Sequence, residues 1–240
     1  RQFLKASGSG LLVVSFPFSE LAQAATHSGL TPTKSVAKDV LDTWLSIDRQ
    51  NQVTIYVGKV DLGTGTKTAL AQIAAEELSV PFNHIHMVMG DTGTTPDQWI
   101  TGAALTIQQG GSELRVAAAS ARAALIARAA QQWQVPAAQL KVVDGQVIDT
   151  LAPSRQLSYG ALIGQGFELK VDPKAMLKPH TDYAVVGRSI PRVDIPAKVS
   201  GEHPYVHDFK LPNMLHARVI RSTSTSSSKR WRSTSAKKAS

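Results

Sequence analysis

Apolar and polar positions alternate in two stretches of the chain, and this alternation predicts two β-strands. Residues 53–57 alternate strictly, and residues 84–89 repeat the pattern before a glycine-containing turn. Residues 44–47 indicate a short partner strand, joined to the first by a polar turn at 48–51. The chain therefore opens its folded part with a small sheet.

Two stretches have the composition and periodicity of helices. Residues 68–78 place apolar side chains on one face and end before Pro81, while residues 113–133 are rich in alanine and other strong helix formers. A hairpin is predicted over 140–148, and a helix-like stretch with a linker over 151–178. These elements predict a mixed α+β fold.

Composition places the chain among ordinary globular proteins, with 42% hydrophobic and 18% charged residues. It has no cysteine, so any iron-sulfur centre must come from a partner. Of the net charge of +8, six positive charges fall in residues 221–240, which leaves about +2 for the rest. We expect this Ser/Thr/Lys/Arg tail to be disordered, and we do not favour a nucleic-acid partner.

The first 24 residues have the features of an export signal. Basic residues at Arg1 and Lys5 precede an apolar run at 11–16 and a small-residue cleavage site at 22–24. The start is also similar to the second half of a twin-arginine motif, so a periplasmic location is expected. A linker over 25–43 follows.

A glycine-rich loop over 58–66 joins the first alternating strand to the first helix. Glycines permit close approach to a ligand, and free amides at a helix N-terminus attract anions. A phosphate-binding Walker loop is excluded because Gly63 is followed by Thr64 and Gly65. A dinucleotide-binding fingerprint is excluded because Thr68 stands at its third glycine, and no parallel-sheet unit with an acidic residue at the right distance follows.

Two blocks resemble the pterin-binding region of the xanthine dehydrogenase and aldehyde oxidase family. The first comprises Gly58, Gly63, Gly65, Thr68, Gln72, Ala75, Glu76 and Leu78; the second comprises Gly90-Asp91-Thr92, Pro96, residues 101–106 and Gly110-Gly111. The resemblance implies cofactor-binding residues in both loops. They are Gly63, Thr64, Gly65 and Thr66 in the first loop, and Gly102, Ala103, Ala104, Leu105 and Thr106 in the second.

A third block, within residues 187–219, resembles the opening of that family's hammerhead domain. The order of blocks is that of the isoquinoline 1-oxidoreductase and membrane-bound aldehyde dehydrogenase branch. The resemblance implies a molybdopterin-binding segment over 44–150, a connection over 151–184, and the incomplete start of a hammerhead-like domain over 185–220.

The resemblance also implies chemistry: hydroxylation of an aldehyde or an N-heterocycle with a molybdopterin cytosine dinucleotide. It implies a small two-iron two-sulfur partner subunit, and a cytochrome c is a candidate electron acceptor. In the family the catalytic base is a glutamate near the end of a much longer chain. We therefore assign no catalytic residue and no metal ligand here, and expect an incomplete cofactor site and no activity from this chain alone.

Some residues depart from the family's pattern or allow another interpretation. Thr64 replaces a glutamine, and Ala104 and Thr106 replace serines, so an exported α+β protein that binds another anion is the alternative. Two histidine pairs, His84 with His86 and His203 with His207, are spaced for metal binding but lack further ligands. Glu76 and Glu77 are expected on the solvent side of the first helix.

Overall fold

The computed structural model describes residues 37–163 and 170–217. The export signal predicted over 1–24 and the tail over 221–240 lie outside these residues. The described elements are β1 (Leu45–Ile47), β2 (Val53–Val57), α1 (Thr66–Leu78), β3 (Ile85–Met89), α2 (Ser112–Trp133), β4 (Leu140–Val143), β5 (Gln146–Asp149), β6 (Gln156–Ser158), α3 (Tyr159–Leu162) and α4 (Ile195–Ser200). The predicted α+β class is confirmed.

The first sheet has the order β1-β2-β3. β1 and β2 form the predicted antiparallel pair, and the Asp48 carboxylate accepts hydrogen bonds from the amides of Gln50 (2.9 Å) and Gln52 (2.8 Å) in the turn between them. β2 and β3 are parallel and are joined through α1. A parallel unit therefore does follow the glycine loop, and the sequence analysis did not foresee it. Thr68 still excludes the dinucleotide fingerprint.

The core lies between this sheet and the two long helices. The apolar side of β2, formed by Val53, Ile55 and Val57, is fully buried. Alanines at 117, 118 and 121 are buried on α2, and their small side chains permit close helix packing. Ahead of α2, Thr106–Gly111 forms one wider π-helical turn. α1 packs closely against this turn, because a Cβ added at Gly111 would lie 3.1 Å from the Ile73 side chain.

The second sheet has the order β4-β5-β6, with all strands antiparallel. Its first two strands are the hairpin predicted around Gly145. β6 was not predicted, and the helix-like stretch expected over 151–178 contributes only the four-residue α3 among the described residues. Tyr159 of α3 is buried, and its hydroxyl donates to the Leu78 carbonyl at the end of α1 (2.8 Å). The segment predicted as a connection thus packs against the first helix.

Contacts divide the chain into two units, with a boundary after Val193. The second unit contains α4, which begins after Asp194 and ends at Gly201, where φ is +79°. Residues 214–217, the last that the structure describes, form neither a helix nor a strand. That this unit begins a hammerhead-like domain stays a prediction.

Candidate functional site

The first loop, residues 58–65, folds back onto one of its own side chains. The Asp61 carboxylate accepts hydrogen bonds from the amides of Gly63 (2.9 Å), Gly65 (3.2 Å) and Lys67 (3.0 Å). Gly63 and Gly65 have φ of +94° and +78°, values that favour glycine and that let the chain turn around the carboxylate. Asp61 therefore caps the N-terminus of α1.

This cap corrects the physical premise of the sequence prediction. The amides expected to be free for an anion are already donated to an internal carboxylate. Burial favours the neutral form of Asp61, but the hydrogen bonds from Lys67, Gly63 and Gly65 outweigh burial and hold its pKa below the ordinary value. An external phosphate at this point would meet a negative charge.

The second loop, residues 98–106, has an unusual backbone. Trp99, Ala103 and Ala104 have φ of 62°, 49° and 59°, a region that residues with side chains seldom adopt. Ala103 and Ala104 are exposed, Gly102 and Leu105 are half-buried, and Thr106 is buried at the start of the π-helical turn. The predicted residues of this loop are therefore accessible, except Thr106.

Three consecutive residues of the first loop hold the second loop in place. The Gly58 amide donates to the Gln98 side-chain oxygen (3.0 Å), Lys59 Nζ donates to the Ile100 carbonyl (2.6 Å), and the Val60 amide donates to the Thr101 hydroxyl (3.0 Å). These three hydrogen bonds join the two predicted loops.

Gln98 and Lys59 are the buried polar residues at this junction, and the sequence analysis missed both. The Gln98 side chain is 1% exposed, and its Nε2 donates to the Gly110 carbonyl (3.2 Å) and to Glu113 (2.7 Å). Lys59 is fully buried and packs against Gly110, where a Cβ would lie 3.1 Å from its side chain. A lysine two residues after a buried strand was the available signal.

Large apolar side chains are exposed on both joined loops. Leu62 is 71% exposed on the first loop, and Trp99 and Ile100 are 68% and 57% exposed on the second. Single exposed apolar residues are ordinary, but several on two adjoining loops indicate a face that a ligand or further polypeptide covers.

Glu76 and Glu77, expected on the solvent side of α1, are buried, and that expectation was wrong. They hold residues 178–193, here called the strap. Glu76 accepts from the amides of Ala184 (2.9 Å), Val185 (2.6 Å) and Val186 (3.0 Å), and from Lys178 Nζ (3.2 Å). Burial alone would raise the pKa of Glu76, but these hydrogen bonds outweigh burial and lower it.

Glu77 forms the second anchor of the strap. It pairs with Arg115 (2.7 Å) and Arg122 (3.4 Å) of α2, and it accepts from the Lys178 amide (3.1 Å). A buried carboxylate needs such partners, because moving a charged group out of water without them costs on the order of several kcal/mol. α1, α2 and the strap therefore meet at this acid pair.

The strap continues along α1 to the first loop. Gln72 donates to the Val185 and Arg188 carbonyls (3.0 Å each), and the Val193 amide donates to the Thr68 hydroxyl (3.1 Å). At its end, the Arg192 guanidinium donates to the Gly63 carbonyl (2.9 Å). The strap thus spans α1 from one end to the other.

The histidine pairs do not form a metal site in the described part of the chain. His84 lies in a single turn before β3, and only His86 belongs to the strand, so the two do not share a strand face. Among the described residues no group of three or more potential ligands lies close enough to hold an ion.

Comparison with known proteins decides the family. Residues 5–196 match the family model described as the molybdopterin cofactor-binding domain. The chain belongs to this family. The resemblance deduced from the loops is thereby confirmed.

Curated relatives of this molybdopterin cofactor-binding chain are much longer. A nicotinate dehydrogenase polypeptide of Pseudomonas putida is 45% identical over 194 residues, which cover 80% of this chain and 16% of that protein. The beta chain of isoquinoline 1-oxidoreductase of Brevundimonas diminuta is 28% identical over 251 residues, which cover 88% of this chain and 32% of that protein. A solved CO dehydrogenase from Oligotropha carboxidovorans matches 55% of this chain and 18% of its own chain, with 24% identity and a TM-score of 0.47.

The residues of the two loops can be tested for their fit to a molybdopterin. At the second loop, exposed Ala103 and Ala104 leave room beside the backbone. At the first loop, a Cβ on Gly63 would meet nothing within 4 Å, and the buried Thr66 hydroxyl has no hydrogen-bond partner among the described residues. The loops fit such a group on their outer faces, whereas the inner amides are committed to Asp61.

Proposed function

We propose that this chain is the cofactor-holding part of a molybdenum hydroxylase large subunit. The observation that carries the proposal is the junction of two loops, 58–65 and 98–106, in a chain of the molybdopterin cofactor-binding family. The bound group would supply the oxidation of an aldehyde or N-heterocycle. The chain's own residues would position it.

In this proposal the second loop gives the binding surface its shape, and the first loop forms a rigid side of it. Gly102, Ala103, Ala104 and Leu105 would lie against the cofactor through backbone and small side chains. Gly63 and Thr64, which are exposed, would contact it from the outer face of the first loop, because Asp61 occupies the inner face. The buried side chains of Lys59 and Gln98 would keep the two loops at a fixed distance from each other.

The finer assignments extend the proposal. They are a cytosine dinucleotide form of the cofactor, a two-iron two-sulfur partner subunit, a cytochrome c acceptor and export to the periplasm. The names of the relatives, a nicotinate dehydrogenase and an isoquinoline oxidoreductase, support an N-heterocycle as the substrate. The chain spans at most about a third of these relatives, so we expect no turnover from it alone.

Cofactor retention tests the proposal. The full chain, produced in cells that make the cofactor, should purify with molybdenum, measured by mass spectrometry, and with a pterin, measured as its fluorescent oxidation product. Ala104→Glu should lose both, because a charged side chain would fill the second loop. Ala127→Glu, the same change on the exposed side of α2, should retain both.

Two results would contradict the proposal. One is a folded chain that purifies without pterin under these conditions. The other is an Ala104→Glu variant that retains as much cofactor as Ala127→Glu. A chain that retains a different anionic molecule would favour the alternative of a binding protein.

A further inference from the structure

A row of polar residues on α1 binds the strap. Thr68, Gln72 and Glu76 are spaced four residues apart, so they lie one above the other on one side of the helix. Glu76 accepts from the amides of 184–186, whereas Thr68, near the start of the helix, accepts from the Val193 amide. The strap therefore runs antiparallel to α1 and brings its last residues to the first loop.

Both backbone groups of Gly63 in that loop bind charged side chains. The Gly63 amide donates to the Asp61 carboxylate (2.9 Å), and the Gly63 carbonyl accepts from the Arg192 guanidinium (2.9 Å). Glycine has the widest choice of backbone conformations, and a Cβ added here would meet nothing within 4 Å, so side-chain packing does not restrict this residue. Hydrogen bonds to charged groups are stronger than neutral ones, and these two fix the residue from both sides.

The aliphatic part of Arg192 also packs on the loop. A Cβ added at Gly65 would lie 3.2 Å from Arg192 Cδ and 3.4 Å from its Nε. Gly65 is the residue from which α1 begins, and its φ is +78°. Arginine commonly covers a surface with its stem while its guanidinium makes a polar contact. Arg192 thus contacts the loop at two points, while Thr64 between them stays exposed.

The two charged partners of Gly63 come from different parts of the chain. Asp61 belongs to the loop itself, whereas Arg192 lies 129 residues away in the sequence and reaches the loop as part of the strap. The loop can therefore keep its inner contact at all times, but it keeps the outer one only while the strap lies along α1.

We propose that Arg192 is a positioning residue through which the strap holds the first loop in shape. The inference rests on the proposed function and deepens it, because this loop is one of the two that would face the cofactor. Release of the strap at Glu76 would then loosen the loop at the opposite end of α1, so the strap would regulate the site.

Amide hydrogen exchange at Gly63 and Gly65, followed by NMR in the full chain made without cofactor, tests the proposal. Both amides donate to Asp61, so they exchange when the loop opens. Arg192→Gln should speed this exchange about three- to tenfold, as expected for loss of one hydrogen bond, and should leave Tm nearly unchanged. Arg192→Lys, which keeps a charged donor, should recover most of the protection. Arg188→Gln, the same change at an exposed position of the strap, should exchange like the wild type.

A double-mutant cycle tests whether the strap acts through Arg192. Glu76→Gln should speed exchange at Gly63 in the wild-type background and much less in the Arg192→Gln background. Thr68→Val, which removes the hydroxyl that binds Val193 but keeps the side-chain shape, should behave in the same way. It provides the answer if Glu76→Gln is too unstable to measure.

Four results would overturn the proposal. They are wild-type exchange in Arg192→Gln, an equal effect of Arg188→Gln, no recovery in Arg192→Lys, and equal effects of the strap variants in both backgrounds. Circular dichroism checks that each variant is folded.

Failure of the proposed function would look different, because the exchange measurements need no cofactor. In cofactor-producing cells, Arg192→Gln should retain less pterin than Arg188→Gln, and equal retention would refute the positioning role while the function stands. A wild-type chain without pterin would refute the function, whereas exchange would still decide whether the strap holds the loop.

Discussion

Replacing Glu76 with glutamine should release the strap from α1. The carboxylate is 2% exposed and accepts four hydrogen bonds, three of them from the consecutive amides of Ala184, Val185 and Val186. Glutamine keeps the shape, but it lacks the charge and replaces one acceptor oxygen with a donor. The three buried amides would then have fewer acceptors for their hydrogen bonds.

The size of the effect follows from these contacts. A hydrogen bond to a charged group contributes about 1.5–3 kcal/mol, and such bonds to one carboxylate are not additive. Since glutamine retains one acceptor, we expect a loss of about 2–4 kcal/mol in the free energy of unfolding. For a chain of this size that lowers Tm by roughly 5–15 °C.

The pH dependence gives a second readout. Because the folded-state pKa of Glu76 is below its ordinary value of 4.5, its stabilisation is present above pH 4.5 and is lost as pH falls through the folded-state pKa. Glu76→Gln removes this titrating group. Its stability should therefore fall less steeply with acidification than that of the wild type.

Hydrogen exchange with mass spectrometry and thermal unfolding measure these effects. Exchange should rise first in the strap, ahead of the sheet. Glu202→Gln, the same change at an exposed position of the second unit, should alter neither. The reasoning is refuted if Glu76→Gln matches the wild type in Tm and in exchange of residues 184–186, or if its acid sensitivity is unchanged.

Three further variants test the loops. Lys59→Met should raise amide hydrogen exchange in the second loop about tenfold, because it removes a buried hydrogen bond from a charged group. Lys141→Met, the same change at an exposed position, should not. Equal exchange in the two variants would contradict the view that Lys59 holds the second loop. Gly58→Ala should cost about 2–3 kcal/mol in chemical unfolding because its Cβ would overlap a carbonyl, while Gly102→Ala, with its nearest neighbour at 3.8 Å, should cost much less. Asp61→Ala should lose about 1–2 kcal/mol at neutral pH and less in acid, where the carboxylate with its lowered pKa is protonated; a pH-independent loss would argue against the cap.

Most of the secondary structure could be predicted because its patterns are local. Alternation over 53–57 and the alanine-rich stretch before Trp133 each match an element of the structure. The parallel pairing of β2 with β3 was missed because the residues of both strands alternate like those of a half-exposed sheet. Pairing direction depends on where α1 packs, and that is not a local property.

The burial of Glu76 and Glu77 could have been suspected. Besides Leu70, Ala74 and Leu78 on one face, α1 has the buried Ala71 and the partly buried Ile73 on its flanks. A helix of that kind is enclosed, so its acids must find partners. The sequence could not show which residues those partners are, since the strap follows about a hundred residues later in the chain.

The glycines of the first loop serve a different physical purpose from the one predicted. Its glycines were interpreted as space for a phosphate, yet their left-handed backbone serves to wrap the amides around Asp61. Because the positive end of α1 is already neutralised, charge attraction at this helix contributes little to holding a ligand. In the proposed function, recognition would then fall to the second loop and to the spacing that Lys59 and Gln98 fix. Shape, instead of the helix dipole, is the means by which this chain would select its cofactor.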